Sequence, residues 1–392
     1  MSCAGIHRLR LAFIASCAVA CQPVATVGDG SGTASAIRSQ SLTPALTKVG
    51  ANAVLLTRAD RMVLTRIAFG SCAYQERPQP LWDDILKAQP QLFIFAGDNV
   101  YGDVSHGRVV TDSQAMASLE QAYRKAGTID GMARLRNTVP HLVTWDDHDY
   151  GKNDAGADFE HKVHSQQMFA DFWALPPDDL RRHRPGVYSA QTFGPPGKRV
   201  QVILLDTRYF RSPLKRVAIM SNRALGPFEP DADPAKTVLG ETQWQWLRSQ
   251  LLQPADLRLV VSSIQVLAQG HQWERWGNFP VELERLYRLI RETRAEGIVF
   301  LSGDRHIAAL YRDGAGTPYP LLEITSSGIT QSFASNTEPG PNRLGDVYNQ
   351  INFGTIDIDW SADTIALSIH ALGGAIVRQH QFSLAQLRIN GS

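Results

Sequence analysis

From about residue 63 onward, short apolar runs alternate with stretches whose apolar positions return every three to four residues. A run of four to seven apolar residues bounded by turn-formers fits a strand buried on both faces, and the longer spacing fits a helix packed along one side. The pattern predicts strands at Val63–Phe69, Leu92–Ala96, His141–Thr144, Val200–Leu205, Leu259–Ser263, Ile298–Leu301 and Pro320–Ile324. It predicts helices at Pro80–Ala88, Met116–Lys125, His161–Trp173, Thr242–Leu252 and Pro280–Ala295. Strands alternating with helices indicate an α/β fold. The tail differs: Gly354–Trp360, Ile365–Ala371 and Ala375–Phe382 alternate apolar and polar residues across short turns. They form an antiparallel meander, expected at the edge of a second sheet packed on the core.

The N-terminus departs from this pattern. His7, Arg8 and Arg10 precede an apolar run, Leu11 to Ala20, that is shorter than the roughly 20 residues needed to cross a bilayer. Residues 1–21 are expected to be a secretory signal. Ala18-Val19-Ala20-Cys21 resembles a bacterial lipobox, which would put a lipid anchor on Cys21; the alternative is plain cleavage after Ala20 or a few residues later. No Arg-Arg pair precedes the run, so the twin-arginine route has no support. Residues 22–62, rich in Ala, Ser, Thr and Gly, are expected to be a linker, and 63–392 the working domain. The expected location is the periplasm or cell surface.

Cysteine usage sharpens the picture. Cys3 and Cys17 leave with the signal and Cys21 sits at its border, so the mature domain keeps Cys72 alone. One cysteine builds no disulfide framework, and a lone thiol in an oxidising compartment needs something to occupy it. Lys plus Arg (39) balance Asp plus Glu (38) for a net charge of +1, which gives no bulk field to recruit nucleic acid or an acidic membrane. Membrane contact is expected through Cys21 alone; the oligomeric state is left open.

Polar residues cluster where the predicted strands end. Gly70-Ser71-Cys72 follows the first, Gly97-Asp98-Asn99-Val100-Tyr101-Gly102-Asp103 the second, and Trp145-Asp146-Asp147-His148-Asp149 the third. Asp206-Thr207-Arg208 and Ser302-Gly303-Asp304-Arg305-His306 follow two later ones. Each alone has an ordinary explanation in a turn, an acidic surface or packing. Ligands of α/β sheets bind outside the carboxyl ends of the strands, so together these ends should converge. Carboxylates gathered there repel one another unless a multivalent cation lies between them. Oxygen donors suit calcium or magnesium, whereas a thiolate, a phenolate and an imidazole suit a transition metal. Cys72 and Tyr101 fit a hard, high-valent ion such as Fe³⁺, and Asp98 and Asp304 have the second oxygen needed to bridge ions.

These motifs, with Tyr150-Gly151-Lys152-Asn153-Asp154 and Glu323-Ile324-Thr325-Ser326-Ser327-Gly328, resemble the PhoD-like branch of the calcineurin-like metallophosphoesterases from about Ile67 to Ser332. Gly-Ser-Cys stands where the wider superfamily has Asp-x-His, Asp-His-Asp where it has Asn-His-Asp, and Asp304-x-His306 where it has His-x-His. The resemblance implies a four-layer α/β/β/α sandwich of two mixed sheets with C-terminal antiparallel strands. It implies hydrolysis of phosphoric mono- or diesters by metal-activated hydroxide, with Fe³⁺ and Ca²⁺, one iron and two calcium, as cofactors. The metal ligands expected are Cys72, Asp98, Tyr101, Asp147, Asn153, Asp304 and His306, with Cys72, Asp98 and Tyr101 near iron and Asp147 and Asn153 on the calcium side. His148 is expected to assist the leaving group or the phosphoryl oxygens, with Asp149 as the neighbouring acid. Arg208 is expected to grip phosphate, or else to pair with Asp206 or another core acid. A phospholipase-D-like lipid hydrolase and a non-catalytic calcium-binding surface lipoprotein are the other readings. The loop carrying Trp273 and Trp276 either covers one side of the site or packs in the core. His161, His164, His271 and His370 are expected to be structural or exposed.

Overall fold

Alternate residues of the central strands face two different cores. In the first strand Ile67 and Phe69 join one apolar cluster and Ala68 the other; in the second, Leu92, Ile94 and Ala96 oppose Phe93 and Phe95 in the same way. A strand hidden on both sides needs apolar residues at every position, which is why these runs are continuous. The structure, a computed structural model, describes residues 51–389 except 106, 219–224, 315, 335 and 337–338. The expected signal and Cys21 lie outside the described residues.

Twelve strands build two sheets. They are β1 (Arg66–Gly70), β2 (Leu92–Ala96), β3 (His141–Thr144), β4 (Ser189–Phe193), β5 (Val200–Leu204), β6 (Leu257–Val261), β7 (Ile298–Ser302), β8 (Ala308–Asp313), β9 (Leu321–Ser326), β10 (Asn352–Asp359), β11 (Thr364–Ala371) and β12 (Ile376–Ser383). The first sheet runs β12-β11-β10-β1-β2-β3 and the second β8-β9-β7-β6-β5-β4. β1, β2 and β3 are mutually parallel, as are β5, β6, β7 and β9, while the outer strands run antiparallel. Both sheets are therefore mixed.

One apolar cluster spans the facing sides of the two sheets and extends to the helices Gly240–Leu251 and Pro280–Thr293. The other joins the outer side of the first sheet to the helices Leu81–Lys87, Ala115–Ala126, Asp130–Thr138 and Lys162–Phe172. The layers are thus helix, sheet, sheet, helix, as the resemblance implied. The helices of the second sheet are tied by buried Glu282, whose Oε2 accepts from Thr237 Oγ1 (2.6 Å), Val238 N (2.7 Å) and Trp244 Nε1 (2.8 Å).

Two expectations change. The meander continues the first sheet: β10 pairs antiparallel with β1, from Arg66↔Asp357 to Phe69↔Gly354. Gly354 makes this possible, because any Cβ there would enter the Phe69 ring. The ordered fold also begins before residue 63. Residues Ala51–Ala59 form a helix inside the expected linker; Ala59 is buried, and Asn52 accepts from His141 N (3.0 Å) and donates to His141 O (2.9 Å). This exchange caps the open backbone of β3. The helix escapes a pattern search because its sequence carries little amphipathic contrast, and β4 (Ser-Ala-Gln-Thr-Phe) escapes because it is a largely polar edge.

Candidate metal centre

The parallel strands of both sheets end on the same rim. The turn after β2 is tight: Gly97 has φ +102°, and a Cβ there would lie 2.7 Å from Cβ of Asp146 after β3. Nine non-glycine described residues have positive φ, and Cys72, Asp98, Asp154, Asp304 and His306 are five of them. Left-handed backbone is costly for such residues and collects where a side chain must be aimed. Here it falls at five of the residues that gather at the rim.

The donors form linked groups. Cys72, Asp98 and His306 place ligand atoms within 4.8 Å of one another; so do Asp98, Asp147 and His148; so do Asp146, Asp147 and Asp304; and so do Asp147, Asp154 and Glu274. Asp98 joins the first two groups and Asp147 the last three. Cys72 Sγ lies 3.3 Å from Asp98 Oδ2 and 3.0 Å from Ser327 Oγ. Tyr101 Oη lies 3.4 Å from the same Asp98 oxygen and 2.9 Å from His306 Nε2. Six of the seven expected ligands therefore converge.

The electrostatics call for cations. Burial, then Asp147, Asp146 and Asp149, pushes the Asp98 carboxyl far above the carboxylate range. Burial and Asp146 do the same to Asp304. Burial pushes Asp146 to about 7 against the pull of Arg208, and burial with Glu274 and Asp147 pushes Asp154 to about 7. Burial and Asp98 raise the Cys72 thiol. Asp147 Oδ1, Asp146 Oδ2 and His306 Nδ1 are buried without a hydrogen-bond partner among the described residues. Buried polar atoms are otherwise almost always paired. Orphaned donors among mutually repelling anions fit multivalent cations in chemistry and in position.

Three expected roles change. Asp149 does not orient His148: it is fully buried, with Oδ1 accepting from Asp146 N (2.5 Å) and Oδ2 from Asn99 Nδ2 (2.6 Å), so it ties two loops together. The acid at His148 is Asp103, whose Oδ1 lies 2.6 Å from His148 Nδ1. Asn153 stands exposed on the wall of a cleft of about 330 Å³, and its amide donates to Asp154 Oδ2 (2.6 Å); Asp154 faces the acidic group instead. Arg208 has no exposed surface and binds Asp146 Oδ1 and Glu274 Oε2, each at 2.6 Å. It is the core ion pair, not a hand for phosphate.

Sequence reasoning misses Glu274. It sits in the aromatic loop, where Trp276 is buried and donates to Ser262 Oγ (3.0 Å). Packing of that tryptophan delivers the carboxylate, and no strand-end signature marks it. His271 and His370 are structural: His271 Nε2 lies 3.0 Å from Gln265 Oε1, and His370 Nε2 lies 2.9 Å from Thr355 Oγ1.

The family model for PhoD-like phosphatases matches residues 67–349. Alkaline phosphatase D of Bacillus subtilis (strain 168) is 24% identical over 290 residues, covering 67% of this chain and 49% of that protein. The chain thus spans about half the length of this curated relative. Of solved structures, PhoD aligns with a TM-score of 0.65 at 16% identity, covering 85% of this chain and 73% of its own. The purple acid phosphatase PPD1 from yellow lupin (Lupinus luteus) seeds aligns at 0.53 and 11% identity, covering 83% and 54%. At these identities the two structures speak for the fold. The family match, however, runs through every strand end that feeds the centre, and the chain belongs to the PhoD-like phosphatase family.

Proposed function

We propose that this chain is an exported, metal-dependent phosphoric-ester hydrolase acting on phosphomonoesters, phosphodiesters or both. The observation that carries this reading is the sharing of Asp98 and Asp147 between adjoining donor groups. Carboxylates shared in this way would hold more than one cation, and such cations would supply charge stabilisation suited to a transferring phosphoryl group. Export rests on the basic and apolar N-terminal segment, with Cys21 as the proposed anchor point; among the described residues no helix is long and apolar enough to cross a membrane.

The donor chemistry divides the centre. Cys72, Tyr101, His306 and Asp98 would supply sulfur, phenol, imidazole and carboxylate, a mixed set that suits ferric iron. Asp146, Asp147, Asp154, Asp304 and Glu274 supply oxygen alone, which suits calcium. One iron and two calcium is the proposed set. Cations held there supply Lewis-acid stabilisation of charge that builds on the phosphoryl oxygens.

The chain's own residues handle the proton. In the metal-free chain burial pulls His148 down, but Asp147 and Asp103 outweigh it and hold the ring at about 10; with a cation on Asp147, Asp103 would be the acid left to favour the charged ring. Asp103 takes Nδ1, so Nε2 is free to donate to the leaving oxygen. Asp103 also accepts from Asn153 N at 2.8 Å, which locks its carboxylate, and Tyr101 stacks on the imidazole with ring centroids 4.1 Å apart. Asp103→Asn should lower kcat by roughly 10- to 100-fold, less than the roughly 10²- to 10⁴-fold of full acid–base assistance because His148 itself remains, with metal content unchanged. A loss of metal in step with kcat would make Asp103 a ligand support instead.

Cys72→Ser tests the division. Serine keeps the size but not the thiolate, so the variant should retain less iron while calcium is unaffected. Equal iron in variant and parent, measured by elemental analysis, would remove sulfur from the coordination. Turnover of p-nitrophenyl phosphate against bis-p-nitrophenyl phosphate tests the reaction itself. An inert, metal-loaded protein on both esters would overturn the hydrolase reading.

A further inference from the structure

Ten large hydrophobic residues stand exposed among the described residues, and Phe333 is the sole aromatic among them. It is half exposed, at 50%, and it stands at the metal centre: its ring meets His306 edge to face, with centroids 4.6 Å apart. The backbone that carries it is anchored. Phe333 N donates to His306 O (3.0 Å), Asn336 N donates to Phe333 O (3.0 Å), and Asn349 Nδ2 donates to Ala334 O (2.6 Å). A phenyl ring left half in water loses hydrophobic stabilisation that burial would give. A ring fixed in place beside a polar centre recovers it when a flat apolar group lies against its open face.

We propose that Phe333 is a specificity-determining contact that favours esters whose organic group carries a planar ring. This rests on the phosphoric-ester hydrolase reading and adds the substrate class to it. The polar donors answer to the phosphoryl group, which every phosphoric ester shares, and so do not sort one ester from another. The surface beside them does, and at His306 that surface is an aromatic face. A ring stacked there adds affinity for aryl or base-bearing esters and none for small alkyl ones.

The test compares Phe333→Ala, Phe333→Leu and Phe333→Trp on phenyl phosphate and methyl phosphate, with phenylphosphonate and methylphosphonate as non-hydrolysable ligands. The exposed position leaves the fold and the metal content intact, which elemental analysis and thermal unfolding check. Phe333→Ala should lower kcat/KM for phenyl phosphate by about 5- to 10-fold, mostly through KM, the scale of one aromatic contact. Methyl phosphate should change by less than about 2-fold, a difference no ring contact is needed to explain. Phe333→Trp should retain the preference and Phe333→Leu should lose most of it. Binding of phenylphosphonate should weaken in parallel while methylphosphonate holds. Equal changes in the two esters, or none in either, would overturn the role of Phe333. If the parent protein hydrolyses neither monoester, only the monoester part of the hydrolase reading has failed, and calorimetric binding of the two phosphonates still decides for or against the aromatic contact.

Discussion

Stripping cations from the purified protein with a chelator should abolish ester hydrolysis and lower thermal stability, and the loss of stability should grow as pH rises from about 6.5 to about 8.5. The charge pattern fixes the direction. In the folded, metal-free chain, burial and neighbouring acids hold Asp146 and Asp154 at about 7, and burial holds Asp149 at about 8. An unfolded aspartate releases its proton near 3.9. Across the stated window the folded state therefore keeps protons that the unfolded chain has lost, and stability falls as pH rises through these values. His148, held at about 10 by Asp147 and Asp103 against burial, acts in the same direction once pH passes the ordinary histidine value. His141 and His306, lowered to about 3 by burial, act oppositely, but they do so below about 6.5, where unfolded imidazoles take up protons. The window lies above that effect. One proton of difference changes stability by about 1.4 kcal/mol per pH unit; one proton retained across the window is thus worth about 3 kcal/mol, and the metal-free protein should lose at least that, a shift of several degrees in melting temperature. Adding iron and calcium should restore turnover and flatten the pH dependence, because cations compete with those same protons. Melting curves of chelated and reloaded protein at both ends of the window decide it. Full turnover after chelation, or a metal-free protein no less stable at the upper pH, would separate the acidic cluster from any cation.

That experiment turns on residues whose placement is partly legible in the sequence. Strands such as Leu92–Ala96 and His141–Thr144 are plain there because both of their faces are buried, which forces an unbroken apolar run. The same geometry makes the strand ends legible: the first polar residues after each run must lie at the rim. Cys72, Asp98, Asp147 and Asp304 follow from that rule. What the rule does not supply is which neighbour a side chain meets beyond the rim. Asp149 and Asp103 are both acidic residues that follow strand ends, but α-helical geometry over Asp147–Tyr150 turns Asp149 back toward Asp146 N, leaving Asp103 to meet His148. Asn153 and Asp154 are adjacent, and a left-handed backbone at Asp154 (φ 54°) decides between them. Glu274 depends on a loop pinned by a buried tryptophan, a tertiary fact with no local signature.

Arg208→Ala should destabilise the metal-loaded protein by about 3–5 kcal/mol, the range for breaking a buried ion pair by removing one partner. The guanidinium has no exposed surface, and its Nε and Nη2 both reach Asp146 Oδ1 at 2.6 Å while Nη1 reaches Glu274 Oε2 at 2.6 Å. Arg211 holds the other oxygen of Glu274 at 2.9 Å, and Ser263 donates to Asp146 Oδ1 at 2.5 Å. Removing Arg208 takes the cation from two buried carboxylates in a region already crowded with negative charge, and the Arg211 contact serves Glu274 but not Asp146. A lysine offers one ammonium where the arginine offers a planar fork, so Arg208→Lys should recover only part of the loss. Because Asp146 and Glu274 belong to donor groups of the centre, the alanine variant should also bind cations more tightly per site once folded, as bare anions attract them more strongly, even while fewer molecules are folded. Urea unfolding at saturating and at limiting calcium separates these two effects: the gap between Arg208→Ala and parent should narrow as calcium rises. A variant that unfolds with the parent but shows a raised KM for every phosphoric ester would instead put Arg208 against the substrate, and the buried strut described above would be wrong.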